Sequence, residues 1–366
     1  MGVLSSGSAV ILKVGVPSYR NDVISQDWMT AFEVAHPGVT VEIVTNCSIY
    51  TLEQHVLEQT FDIDLEHARS ADVLISSGFR VSAALMHTGY FLDLTSFVQN
   101  DSLAEDYYPV IWRSFQWNDG FWALPYGMNL VGLTYDPIAF NLLGLPHPDP
   151  AWTLEDLGDA LRALTPALSP YQKHGKSFTA SETYLWISLL GAPLVDASVV
   201  PNLPRLNTPV VAQFVEKWTA MDEQGLVDDG LVDHGAPISL GPIRADTTHD
   251  NKRAWSLLPG GRAGLEMGAI LISAGTQNAE LAYEFAKFLT SQKYEAQYPV
   301  RRSLMSDYDG LEVQTIERVL EVALPAADMR FSTCLWNVGT YRHVWKNSIE
   351  EALEKIQQDR KAAYFM

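Results

Sequence analysis

Cysteine is nearly absent from this chain: Cys47 and Cys334 are the only two in 366 residues, too few for a disulfide scaffold. Long apolar runs are missing too. No stretch approaches the roughly 20 consecutive apolar residues of a membrane-spanning helix, so the chain does not read as an integral membrane protein. Positive charge is scarce, with 25 Lys and Arg against 44 Asp and Glu and a formal net charge of −19. Nucleic acid is not expected as a partner, because phosphate binding needs clustered cations that release counterions.

Catalytic and cofactor signatures are absent in the same way. Gly175-Lys176-Ser177 ends like a phosphate-binding loop, but Pro170 stands where the first glycine belongs. Gly260, Gly261 and Gly264 make no dinucleotide fingerprint, since no strand leads into them and no helix follows directly. The nine histidines are scattered without ligand spacing. Asp228, Asp229 and Asp233, or Asp307 and Asp309, complete no calcium loop, and no Gly-x-Ser-x-Gly elbow occurs. These absences point to no metal and no cofactor. A carbohydrate-active enzyme stays open as an alternative, because the separation of a carboxylate pair is spatial and leaves no mark in sequence.

What is present is a hydrophobic content of 47% in a length that favours two lobes over one core. The first hundred residues alternate strand and helix signals, which predicts an α/β lobe with a mostly parallel sheet. Val10 to Val16 reads as a nearly continuous apolar strand. Asp22 to His36 reads as a helix with Trp28, Ala31, Phe32 and Ala35 on its buried face, followed by strands at Val39 to Val44 and Ala71 to Ile75. Asn118-Asp119-Gly120 predicts a hairpin turn between Trp117 and Phe121. Further on, the second lobe reads as mainly helical. Thr153 and Asp156 have the spacing of a reciprocal helix cap, and a helix from Thr208 to Gln224 buries Phe214, Val215, Trp218 and Met221 and stops at Gly225. Of ten tryptophans, Trp28, Trp186, Trp218 and Trp345 sit on helical apolar faces and are expected in the core.

The most informative segment is Trp255 to Leu304. Gly260, Gly261 and Gly264 predict a loop, Ala269 to Ile272 a buried strand, and Asn278 the cap of a helix that buries Leu281, Ala282, Phe285, Ala286, Phe288 and Leu289. Arg301 and Arg302 follow. This order, with "AGTQNAELAYEFAKFLTS" inside it and "NDGFWALPYGMNLVGLTYD" earlier, resembles the extracellular solute-binding proteins of bacterial ABC importers, in the sugar-type group that includes maltose-binding protein. The resemblance implies a two-lobe α/β periplasmic-binding fold with a ligand cleft and a multi-strand hinge. Its lobes would be 1–122 with 265–303 and 123–264 with 304–366, crossing near Phe115 to Tyr135, Trp255 to Gly268 and Leu304 to Val313. It further implies a protein that is not an enzyme but an extracytoplasmic monomer that captures a carbohydrate, meaning a sugar or polyol, and delivers it to a membrane permease. Met1-Gly2 with the Ser-Ser-Gly-Ser lead reads as an expression start, so the family reading implies a removed signal segment. The two cysteines would fall in different lobes and stay as free thiols.

Carried over residue by residue, the resemblance implies ligand contacts from Ser18, Tyr19 and Arg20 after the first strand, Asn46 after the second, and Ser77, Phe79 and Arg80 after the third. Tyr126 and Asn129 fall on the first crossover, Ser181 and Tyr184 at a helix start in the second lobe, and Glu266 and Gly268 on the second crossover, where Met267 replaces one of the family's paired glycines. Arg244 closes a Gly-Pro-Ile strand in which Ile243 stands for the usual aromatic, and Trp336 takes the place of an aromatic platform. Loss of one platform favours a smaller ligand over a long oligosaccharide. A non-sugar solute such as a peptide, an amino acid derivative, a polyamine or an anion facing Arg20, Arg80 and Arg244 is the alternative within the same fold, and delivery to a sensor rather than a transporter is also open.

Overall fold

The computed structural model describes residues 9–17, 23–46, 69–77, 81, 86, 89–168, 178–179, 195–196, 203–204, 209–228, 236–243, 253–295, 297–307 and 311–325. The chain divides into two compact units, Met1–Met128 with Met267–Tyr308 and Asn129–Glu266 with Asp309–Met366.

Unit 1 is built on parallel strands Val10–Pro17, Val39–Asn46 and Val73–Ser77, with Val10–Pro17 between the other two. Residues 268–272 of the long strand Ala263–Ile272 add an antiparallel neighbour to Val73–Ser77. The first strand is less uniformly buried than its apolar sequence suggests: Leu12, Val14 and Val16 are fully buried, while Ile11 is 52% exposed. The alternation follows the pleat, which turns successive side chains to opposite faces. Strand Val39–Asn46 lies at the sheet's edge, and Glu33 Oε1 accepts from its Val41 amide at 2.8 Å.

The first helix is shorter than its expected span. It runs Gln26–Ala35, because Ser25 Oγ accepts from Trp28 N and opens it there. Its buried face is Met29 and Phe32, with Trp28 half-buried; Ala31 and Ala35 are exposed. Phe32 meets Phe285 edge-on, 4.8 Å between ring centroids. Phe285 belongs to helix Ala279–Thr290, which buries Ala282, Phe285, Ala286 and Leu289 together with Tyr283 and Thr290. Asn278 occupies that helix's N-cap position, but its side chain makes no cap hydrogen bond. Its own amide donates to Thr276 Oγ1, whose hydroxyl donates in turn to Asp72 Oδ1 at 2.5 Å. Asp72 Oδ2 also accepts from Lys13 N, so one carboxylate ties the first strand to the turn before the helix.

Strands Gln116–Trp117 and Gly120–Phe121 pair around a two-residue loop, Asn118-Asp119, with φ of 48° and 61°. Those positive angles belong to the primed turn whose twist suits a tight hairpin, and Asn and Asp tolerate them better than other side chains. After the helix Ala279–Thr290 the chain returns along unit 1. Met128 and Tyr298 exchange two 2.8 Å backbone hydrogen bonds, and Arg301 Nε donates to Asp106 Oδ2 at 2.7 Å.

Asp106 also accepts from the Ser303 hydroxyl and amide at 2.6 and 2.8 Å. Partial burial on its own pushes this carboxyl up, yet the Ser303 and Arg301 hydrogen bonds outweigh it and hold the group below its ordinary 3.8. The unfolded chain therefore takes up the proton first as pH falls. The stability contributed is complete above 3.8 and is lost as pH drops through the lower folded value. Asp106→Asn is expected to cost stability at neutral pH and progressively less toward about pH 3. Urea midpoints of both proteins at the two pH values check this; a constant difference would contradict it.

In unit 2, strand Ile238–Ile243 pairs antiparallel with residues 130–135 of the long strand Leu124–Tyr135, and Ala254–Ser256 pairs with its residues 133–135. Phe178–Thr179 runs parallel to Ile238-Ser239, with Val227–Asp228 beyond it. Residues 263–265 pair in parallel with Ala323–Pro325. Unit 2 is thus less purely helical than expected, since strands of two to six residues leave little periodic signal. Helices Pro137–Leu143, Leu154–Leu168, Pro209–Glu223 and Val313–Glu321 and the separate antiparallel pair Val195–Asp196 with Leu203–Pro204 complete its described elements. The Thr153 and Asp156 pair forms the reciprocal cap: the Asp156 amide donates to Thr153 Oγ1, and the Thr153 amide and hydroxyl donate to Asp156 Oδ2. Phe214 and Met221 are buried, and Gly225 stops the helix before it at φ +68°.

The glycine-rich segment differs from its expected form. Gly260 and Gly261 turn the chain with φ of 94° and 71°, but the strand opens at Ala263 and takes in Gly264, which pairs with Leu324. Pairing with the strand Ala323–Pro325 outweighs the weak strand preference of glycine.

Candidate functional site

Because the three strands of unit 1 run parallel, their carboxyl ends share one edge, where Pro17 stands opposite Asn46. Strand Ala263–Ile272 brings Gly268 opposite Ser77 at the same end. In open α/β sheets that edge is where small molecules bind, because the loops leaving it carry variable side chains over exposed strand ends. Of the expected contacts, Asn46, Ser77, Tyr126 and Gly268 belong to unit 1, and the last three converge. The Tyr126 ring lies against Gly268 so closely that a Cβ there would fall within van der Waals distance of Cε1 and Cζ. Tyr126 is 2% exposed and packs on Tyr294 at 4.7 Å, which packs edge-on against Trp28 at 5.1 Å.

Asn129 and Glu266 are the residues at which the two long strands enter and leave unit 2. Both are half-buried. The Asn129 Oδ1 is buried and meets no hydrogen-bond partner among the described residues, an arrangement that costs about 1–3 kcal/mol until a donor is supplied. Ile243 is fully buried opposite Leu130 and fills the space beside Gly132. Ser18, Tyr19, Arg20, Phe79, Arg80, Ser181, Tyr184, Arg244 and Trp336 lie outside the described residues, as do Cys47 and Cys334.

Two anchoring residues went unread in the sequence. Asp72 holds the turn at the amino end of the unit 1 strands, opposite the edge where Ser77 and Gly268 lie. Arg253 in unit 2 donates to the carbonyls of Ala236 and Thr134 at 2.8 and 2.9 Å and to Ser239 Oγ at 3.0 Å. Burial lowers its affinity for the proton, and Asp136 partly offsets that. Neither residue belongs to a motif. Among the described residues no group of three or more His, Cys, Asp or Glu side chains is placed to hold a metal ion, and no helix is long and apolar enough to cross a membrane.

Comparison with solved structures gives matches over nearly the full length. An ABC substrate-binding protein from Listeria monocytogenes, in complex with cycloalternan, is 13% identical, with a TM-score of 0.69 over 96% of this chain and 98% of the other. The sugar-binding protein MalE from Xanthomonas citri is 13% identical, with a TM-score of 0.66 over 97% and 99%. An ABC transporter solute-binding protein from Agrobacterium radiobacter K84, in complex with ribitol, is 19% identical, with a TM-score of 0.63 over 86% and 87%. At these identities the likeness establishes the two-lobe mixed α/β solute-binding fold. No curated protein matches. The model of the bacterial extracellular solute-binding protein family matches residues 18–296. On that match, which spans most of its length, the chain belongs to the bacterial extracellular solute-binding proteins.

Proposed function

We propose that this protein captures a carbohydrate, a small sugar or polyol, between its lobes outside the cytoplasm and presents it as a monomer to an ABC transporter permease. The observation that supports this best is the likeness, over most of the chain, to structures holding cycloalternan and ribitol. The site chemistry agrees with it. Asn129 carries an amide oxygen without a donor among the described residues; a solute hydroxyl supplies one, and Ser18, Tyr19 and Arg20 follow the first strand in sequence. Trp336 offers a flat apolar face to a sugar ring.

Capture works by differential binding. Contacts from both lobes act together only when the lobes close on the solute, so the ligand favours the closed state; moving a population from 1:99 to 99:1 takes about 5.5 kcal/mol of such preference. A few hydrogen bonds at about 1 kcal/mol each and one aromatic face reach that value. Binding and release need no bond-making step, so the protein acts without catalysis and without a cofactor.

A thermal-shift panel of sugars, polyols and organic acids tests the reading. A true ligand at 100 times its dissociation constant adds about 2.7 kcal/mol of stability. Sugars or polyols are expected to raise the midpoint while organic acids leave it unchanged; stabilisation by organic acids alone would replace the proposal with an anion carrier. Trp336→Ala is expected to weaken the best ligand at least about tenfold with the unliganded midpoint unchanged. Undiminished affinity removes Trp336 from the site.

A further inference from the structure

Away from the sheet edge, unit 1 carries a groove of about 440 Å³ between the end of helix Gln26–Ala35, helix Ala279–Thr290 and the turn Ser102–Asp106. That volume lies within the roughly 300–1,000 Å³ of small-molecule sites. Phe32 and Phe288, with ring centroids 5.5 Å apart, make its apolar wall. Two ion pairs and one histidine–carboxylate contact border it: Lys287 Nζ to Asp101 Oδ2 at 2.9 Å, Arg301 Nε to Asp106 Oδ2 at 2.7 Å, and His36 Nε2 to Glu284 Oε2 at 3.5 Å.

These pairs hold the groups in place without saturating them. Arg301 spends only Nε, so its two Nη groups keep their donors among the described residues. Lys287 spends one of three N–H donors. Glu284, 56% exposed, has only the long contact to His36 among the described residues. Asp106 is itself fixed by Ser303, so the guanidinium is oriented before any ligand arrives, which limits the ordering cost of binding.

A simple anion fits poorly, because Asp101, Asp106 and Glu284 oppose it. A simple cation meets Lys287 and Arg301. A molecule carrying both charges on a short apolar body matches all three features. We propose that this groove binds a zwitterionic α-amino acid with an apolar side chain: its carboxylate takes the Arg301 Nη and Lys287 donors, its ammonium meets Glu284, and its side chain lies on Phe288. The assignment stands apart from the carbohydrate reading, since every residue it uses belongs to this groove.

Calorimetric titration of the full chain with leucine and phenylalanine tests it, alongside N-acetyl-leucine, which lacks the ammonium, and leucine amide, which lacks the carboxylate. One amino acid is expected to bind the native protein, and to bind Glu284→Gln and Arg301→Lys at least about tenfold more weakly, the loss expected for a charge-assisted hydrogen bond. Both blocked derivatives should fall by a similar factor. Glu284→Gln keeps the Asp106 to Arg301 link, so a folding defect in Arg301→Lys does not decide the result. No binding by either amino acid, equal binding in Glu284→Gln, or equal binding of a blocked derivative overturns the proposal. Its failure leaves the carbohydrate thermal shift untouched, and loss of amino acid binding in Trp336→Ala would overturn the groove.

Discussion

Gly268→Ala is expected to lower the unfolding free energy by about 2–3 kcal/mol, the upper range for forcing an extra carbon into a packed site. The added methyl would coincide with the Tyr126 ring. Tyr126 has nowhere to withdraw, being 2% exposed and held by Tyr294, while Gly268 is fixed by its ladder position opposite Ser77. Tyr126→Leu removes the ring tip and has its own cost, so the clash is measured by the double variant. Gly268→Ala with Tyr126→Leu should be more stable than the sum of the two single losses by at least about 1 kcal/mol. Urea unfolding of the four proteins reads this directly; strict additivity would mean that the ring and the glycine do not compete for the same space.

The second large effect is at Arg253. Its guanidinium spans two strands through the Thr134 and Ala236 carbonyls and the Ser239 hydroxyl, at the point where Thr134 and Ser239 stand opposite each other and Thr134 also faces Trp255. Hydrogen bonds from a charged donor contribute about 1.5–3 kcal/mol each before water reclaims any exposed acceptor. Arg253→Ala is therefore expected to cost about 3 kcal/mol. Arg253→Lys should restore less than half of it, because an ammonium is a single point donor and the guanidinium is a planar fork. A loss below about 1 kcal/mol for Arg253→Ala would show that water replaces the fork.

Legibility followed the range of the interaction. The Asn118-Asp119 hairpin and the Thr153 to Asp156 cap were readable because each is completed within four residues. The first helix was overextended at Asp22 because apolar spacing continues past the point where Ser25 takes the first amide. Gly264 was read as loop for a similar reason: local preference argues against a strand there, and the strand Ala323–Pro325 that overrides it lies far along the chain. The candidate site divides in the same way. Strand ends such as Ser77 were visible as turn chemistry after apolar runs. The Tyr126 to Gly268 contact, the Asp72 tie and the Arg253 fork were not, since no local pattern links their partners.

Sequence alone therefore determined what is written in short-range spacing and in recognisable segments: an α/β chain of two lobes, a solute-binding family, and most element types. Only the tertiary structure decided which side chains meet. Packing free energy depends on contacts between segments far apart in the chain, and it is large enough to end a helix early, to draw glycines into a strand, and to place a tyrosine ring where a methyl group has no room.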